Sequence, residues 1–350
     1  MKKQLAATGF FLFSFMLPLK ATALTFNQLY VFGDSLSDPG NVLLSSGGIV
    51  PQSPPYHQGR FSDGTNWVDD LDRQLGLNPV AYANAFIPGS PLPTDGINFA
   101  FGGATTGTTN TGNAFLPGLQ TEIDLFKTTL GTGVANKDAL YIVWAGSNDY
   151  LGGGVTNPTV PVSNISTTLK SLFNLGARNF LVANLPDLGK SPGGISQGPV
   201  ASEALNQLTS AHNNGLSDAL NQLNQTLNGV NIIPFDVDSL FNQVINSPGD
   251  YGFTNVTDSC LVSANPINLF VGPFASQCSN PDQYLFWDNL HPTAAANSLI
   301  ANRAFQTLTN SQKSTPEASV ELGILAIGAL GAGSMLKRQG KKLAQLESKS

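Results

Sequence analysis

The sequence predicts an α/β fold, an open parallel sheet of five strands with helices on both faces. Three observations predict it. Five short apolar runs recur without strict apolar–polar alternation, as strands buried on both faces require. Segments with apolar residues at three-to-four spacing lie between them and read as amphipathic helices. The two kinds of segment alternate, which gives a parallel sheet with right-handed crossovers.

Taken in order, the first run is Leu29-Tyr30-Val31-Phe32, and Trp67 to Leu75 reads as a helix. Ile97 to Phe101 is a second, weaker run, followed by a helix over Leu119 to Leu130. Leu140 to Trp144 is the third run, with a helix over Ile165 to Leu175. Asn179 to Asn184 is the fourth, with a helix over Ala201 to Leu227, and Val230 to Phe235 is the fifth. Pro292 opens a last helix through about Leu308, because proline suits the first helical position. Residues 40–66 and 246–286 are rich in Gly, Pro, Asn and Ser and read as long loops that shape a site.

The two ends differ from this middle. Lys2 and Lys3 precede an apolar stretch from Gly9 to Leu17 and a small-x-small site, Ala21-Thr22-Ala23. Residues 1–23 therefore read as a secretory signal, with Leu24 the first mature residue. The stretch is shorter than the roughly 20 apolar residues a spanning helix needs. Residues 24–312 have one composition and no clear linker or repeat, so they form one domain. In the tail, 313–350, Val320 to Leu336 is apolar with only Glu321 charged, and Lys337, Arg338, Lys341 and Lys342 follow. That is a marginal membrane segment with a positive cytoplasmic flank.

Only 11% of residues are charged and the net charge is -6. No basic patch forms a nucleic-acid footprint, which sets that partner aside. The two cysteines, Cys260 and Cys278, would form a disulfide in an exported chain and stabilise it by about 3 kcal/mol. No histidine pair stands beside them, so no metal site is expected.

In an open α/β sheet, ligands sit at the carboxyl ends of the strands. The runs are followed there by Gly33-Asp34-Ser35, by Gly102-Gly103, by Gly146-Ser147-Asn148-Asp149 and, much later, by Asp288-Asn289-Leu290-His291. These are parts for acyl transfer through a serine. Ser35 is the candidate nucleophile and His291 the base that takes its proton. Asp288, three residues before His291, would hold the other ring nitrogen. The Ser35 and Gly103 N–H groups and the Asn148 side-chain amide are candidate oxyanion donors. Asp34 and Asp149 brace turns. His57, Arg60 and Trp287 are candidate substrate contacts, and Asp38 is a candidate neighbour of the site. The aromatics Tyr56, Phe61, Trp67 and Trp287 suit an acyl chain or a sugar ring. His212, in a polar helix, is expected to be solvated.

These residues carry a family resemblance. Val31-Phe32-Gly33-Asp34-Ser35-Leu36-Ser37-Asp38, Asn98 to Ala104, Gly146-Ser147-Asn148-Asp149 and Asp288-Asn289-Leu290-His291-Pro292 resemble four blocks of the GDSL (SGNH) hydrolases, in family order. Gly59 to Gly64 with Trp67-Val68 resembles a stretch of the lipase-like members, with Asp63 where Asn is usual. A lone tetrapeptide arises by chance in roughly one chain in several hundred, whereas four ordered blocks are specific. The resemblance covers about residues 28–310. It implies a flavodoxin-like three-layer sandwich, hydrolysis of carboxylic esters of the lipase type, and no cofactor. Thr315-Pro316-Glu317-Ala318-Ser319, with Ala318 where a second proline is usual, resembles a PEP-CTERM sorting tail. That implies anchoring and removal by a processing protease. Two rival functions are a carbohydrate acetylesterase on the same fold and a non-catalytic surface-anchored binding protein. Gly194-Ile195-Ser196-Gln197-Gly198 fits a nucleophile elbow, but it follows a Pro/Gly loop and not a strand, so Ser196 reads as a loop serine.

Overall fold

In the computed structural model, which describes residues 26–85, 93–264 and 270–313, alternate residues of each apolar run face opposite sides of one sheet. Six strands form it: β1 (Leu29–Gly33), β2 (Val80–Ala81), β3 (Gly96–Asn98), β4 (Leu140–Trp144), β5 (Asn179–Ala183) and β6 (Asn231–Phe235). All pairs are parallel, in the order β2-β3-β1-β4-β5-β6. The sheet therefore has six strands and not the expected five. The extra one, β2, is a two-residue edge strand pairing Val80 and Ala81 with Ile97 and Asn98, too short to show a hydrophobic pattern.

Leu29, Val31, Leu140, Ile142, Trp144, Leu181 and Ile233 pack on one face with α2 (Trp67–Leu75), α8 (Val237–Asn246) and α9 (Ala294–Lys313). Phe32, Tyr141, Val143, Phe180, Val182 and Ile232 pack on the other with α3 (Leu119–Leu130), α5 (Thr159–Leu175) and α7 (Pro199–Thr226). Each large apolar side chain so buried contributes about 1.5–3 kcal/mol. The result is a three-layer α/β/α sandwich.

Local chemistry sets the helix ends. The Asn66 side chain accepts N–H bonds from Val68 and Asp69, and the Asp69 carboxylate accepts the Asn66 N–H, a reciprocal cap that starts α2. Gly76, in the left-handed region, stops it. The last helix begins at Ala294, two residues later than Pro292 implied. Pro292 bridges Phe286, and the Thr293 N–H bonds the Leu285 carbonyl, so both belong to the strand side of the junction.

Short helices α1 (Asn41–Ser45), α4 (Ser147–Leu151) and α6 (Pro192–Ser196) complete the list. The stretch 246–286 is more regular than expected. β7 (Asn255–Ser259) pairs in parallel with β10 (Tyr284–Phe286), and β8 (Leu261–Ser263) pairs antiparallel with β9 (Phe274–Gln277). A Cys260–Cys278 disulfide closes the second pair. β7 and β9 are partly exposed and polar, and β8 and β10 are only three residues long, so none shows the apolar runs that announce the central sheet. Among the described residues no helix is long and apolar enough to cross a membrane. The expected leader 1–23 and the apolar stretch 320–336 lie outside the described residues, as does the tail from 314 onward.

Candidate active site

Gly33 ends the central strand β1 with φ of 153°. A Cβ there would lie 2.1 Å from the Trp144 carbonyl oxygen of β4, so the close approach of the two strand ends requires glycine. The chain then turns: the Asp34 carboxylate accepts the Leu36 N–H at 3.1 Å, and the Asp34 carbonyl accepts the Ser37 N–H at 3.0 Å. Ser35 stands at this turn, at the carboxyl edge of the sheet.

Two buried carboxyls tie this turn to the next strand end. Asp38 accepts N–H bonds from Gly40, Asn41 and Val42, which starts α1, and from Gly102 at 2.8 Å. Glu122 of α3 accepts the Gly33 N–H at 2.8 Å and the Phe101 N–H at 3.3 Å. Burial pushes Asp34 up to about 7 and Asp38 up to about 6, the latter against four N–H donors, and holds Glu122 well above the usual carboxylate range. Gly103 follows with φ of 83°, and its carbonyl accepts the Thr111 N–H at 2.8 Å. Asp149 accepts the Thr106 N–H and hydroxyl, which docks this loop on α4. Asn148 sits on α4 and donates one amide hydrogen to the Ala104 carbonyl at 3.1 Å.

The three-residue spacing of Asp288 and His291 closes a tight turn. Asp288 Oδ1 accepts the N–H groups of Leu290 and His291 at 2.9 and 2.8 Å. That turn brings His291 Nδ1 to 2.9 and 2.8 Å from the two carboxylate oxygens. His291 Nε2 lies 2.7 Å from Ser35 Oγ. Burial alone would raise the Asp288 carboxyl, but the His291 ring and these hydrogen bonds outweigh it and hold the group below the usual range. The Tyr56 hydroxyl donates to Asp288 Oδ2 at 2.8 Å.

Ser35, Gly103, Asn148 and His291 border one cleft of about 520 Å³. Val42, Val50, Phe61, Leu116, Leu151 and Phe270 give it apolar walls. The Phe61 and Phe270 rings lie 5.1 and 5.6 Å from the His291 ring, centroid to centroid. A serine hydroxyl on an acid-held imidazole, beside a glycine N–H and a side-chain amide, can attack a carbonyl and hold the oxygen that becomes negative.

The candidate substrate contacts lie elsewhere. Arg60 is bound to Asp69 through Nε at 3.0 Å and a terminal nitrogen at 2.7 Å. Trp287 is buried against Tyr56 and Cys260, and its backbone N–H holds the His291 carbonyl. His57 pairs its N–H with the Ser62 carbonyl, outside the cleft wall. Trp67 and Tyr56 are core residues, leaving Phe61 as the expected aromatic that meets the cleft. Ser196 ends α6, donates to the Gly193 carbonyl and is not among the residues that line the cleft. His212 is not solvated: it is fully buried, its Nδ1 bonded to the Tyr150 hydroxyl at 2.9 Å, and burial lowers it to about 4. Sequence reasoning missed the Tyr56–Asp288 bond, Glu122 and Phe270. None stands in a spaced motif, and each reaches the site only through the fold.

Comparison with known proteins adds four findings. The family model described as GDSL-like Lipase/Acylhydrolase matches residues 29–304. The chain is similar to a GDSL esterase/lipase of Arabidopsis thaliana, 31% identical over 314 residues, covering 79% of this chain and 81% of the relative. It is also similar to a phosphatidylcholine-sterol acyltransferase of Aeromonas hydrophila, 27% identical over 323 residues, covering 80% and 89%. Among solved structures, the native aryl esterase of M. smegmatis aligns over 82% of this chain and 99% of its own, at 16% identity and a TM-score of 0.43.

Proposed function

This chain belongs to the GDSL-like lipase/acylhydrolase family and is a carboxylic ester hydrolase, and we propose that it cleaves acyl esters through Ser35, His291 and Asp288. The observation that carries the reading is the unbroken line from Ser35 Oγ through His291 to Asp288, opening into an apolar cleft. His291 Nε2 takes the hydroxyl proton as Ser35 Oγ attacks the ester carbonyl. Asp288 keeps Nδ1 protonated and stabilises the imidazolium that forms. The carbonyl oxygen, now negative, is held by the Ser35 and Gly103 N–H groups and by the amide hydrogen of Asn148 not used on Ala104. His291 returns its proton to the leaving alcohol, which leaves an acyl-enzyme. Water, activated by the same imidazole, then releases the acid and frees Ser35.

The walls are mostly apolar, with Ser46, Thr111 and Asn113 as polar side chains besides Ser35, Asn148 and His291, and this balance favours an acyl chain over a sugar ring. Two measurements test this. A fluorophosphonate should label Ser35 in the folded protein and leave Ser35→Ala unlabelled; no adduct on Ser35 would favour a non-catalytic binder. Across p-nitrophenyl esters of increasing chain length, set beside acetylated xylan, kcat/KM should rise beyond acetate. Highest activity on the acetylated polysaccharide would make the chain a carbohydrate acetylesterase.

We further propose export, with 1–23 removed and the tail 313–350 anchoring the protein at the cell envelope before processing. The Cys260–Cys278 disulfide supports this, because such bonds persist outside the cytoplasm. Mass spectrometry of the protein recovered from cells would find Leu24 at the N-terminus; an intact Met1 would overturn the reading.

A further inference from the structure

We infer that Tyr56 is a positioning residue of the triad, its hydroxyl fixing Asp288 against His291 from the loop that also walls the cleft. The inference rests on the assignment of Ser35, His291 and Asp288 given above.

Asp288 accepts two backbone N–H bonds, from Leu290 and from His291, and both belong to its own turn. Those bonds shape the turn but move with it, so they do not fix the carboxylate relative to the rest of the molecule. Among the described residues, Tyr56 is the side chain other than His291 that hydrogen-bonds this carboxylate, and it comes from 232 residues away. Its hydroxyl meets Oδ2 at 2.8 Å, the same oxygen that His291 Nδ1 meets at 2.8 Å. A neutral donor on an ionised acceptor in a dry surrounding is among the stronger hydrogen bonds. Burial and the neighbouring Asp288 charge hold the Tyr56 hydroxyl far above its ordinary value, so it remains a donor.

The ring is as tightly placed as the hydroxyl. Tyr56 is 1% exposed. Its N–H bonds the Gln52 carbonyl at 3.1 Å, and its own carbonyl accepts the Ser53 hydroxyl at 2.7 Å. Edge-on contacts surround it, at 6.3 Å to Trp287, 6.3 Å to Phe61 and 6.1 Å to Phe270. Phe61 and Phe270 line the cleft and also lie against the His291 ring. Tyr56 thus touches the acid at its tip and the cleft walls along its ring. Without the hydroxyl, Oδ2 keeps only His291, and the carboxylate is held solely by bonds within its own turn and to the ring it orients. Proton transfer then suffers while substrate binding does not.

The test compares Tyr56→Phe with the wild type, with rates expressed per active site titrated by fluorophosphonate. The variant keeps the ring and its packing and loses one oxygen. We expect kcat to fall by about tenfold, the scale of a hydrogen bond to a charged group, with KM unchanged. The far-downfield proton resonance of the His291–Asp288 bond should shift or broaden in the variant. In an Asp288→Asn background the same substitution should cost little more. An unchanged kcat per titrated site with an unmoved resonance would overturn the inference. So would an equal loss in both backgrounds, the outcome for a residue that only fills space. If Tyr56→Phe does not fold, site-specific fluorotyrosine at 56 keeps the ring and makes the hydroxyl a stronger donor. It should move the same resonance, and an unmoved one would overturn the inference. Failure of Ser35 to label sinks the triad assignment itself, whereas these results on an enzyme that labels at Ser35 bear on Tyr56 alone.

Discussion

Asn148 has two amide hydrogens, and one is already spent on the Ala104 carbonyl. That bond sets the angle at which the other meets the cleft, beside Gly103 and Ser35. Asn148→Ala should therefore lower kcat by about 10²–10³-fold with a smaller effect on KM, as steady-state kinetics would show. The residue scale also shows what a sequence hides. Asp288 and His291 were readable as a pair because three residues of spacing close a turn on local N–H groups alone. His212 was misread because it lies among polar neighbours on α7, yet its own side chain turns inward beneath Gly146 and against Tyr150. Arg60 and Trp287 were placed in the site for their chemistry, but one is held by Asp69 and the other by the core. Polarity and aromaticity name what a side chain can do, and neither says which way it points.

The turn after β3 places Gly103, one of the three proposed oxyanion donors. A Cβ at Gly103 would lie 2.5 Å from Asn110 Oδ1 and 2.8 Å from the Gly112 N, and φ of 83° disfavours a side chain as well. Gly103→Ala should cost at least about 100-fold in kcat/KM and lower the melting temperature by a few degrees, measured by kinetics and circular dichroism. The elements most legible in advance were those with one strong period. The predicted bounds of α2, α3 and β4 are those observed, since each carries an uninterrupted apolar pattern. The edge strand β2 and the strands β7 to β10 were not legible. Their stability comes from partners distant in sequence, such as the pairing of β7 with β10, and local composition does not record a partner.

Across the whole molecule, one end of the sheet gathers buried carboxyls. Asp34, raised to about 7, Asp38, raised to about 6, and Glu122, raised well above the usual carboxylate range, favour their protonated forms in the fold because burial penalises the charge. Their stabilising contribution is full below the unfolded carboxylate value of about 4 and is lost as pH rises through 6 and 7. Asp288, held low, acts in the opposite sense: its contribution is present above about 4 and lost below it. The melting temperature should therefore peak on the mildly acidic side and decline toward pH 8. Asp34→Asn, which keeps an acceptor for the Leu36 N–H, should flatten that decline when melting is followed across pH. The same architecture sets a schedule for synthesis. Ser35 and His291 are 256 residues apart. At about 5–20 residues per second, a ribosome needs roughly 13–50 s to get from the hydroxyl to the imidazole. For that interval a nascent chain carries the proposed nucleophile without the ring that would activate it, so on this reading power to hydrolyse esters waits on the synthesis of His291.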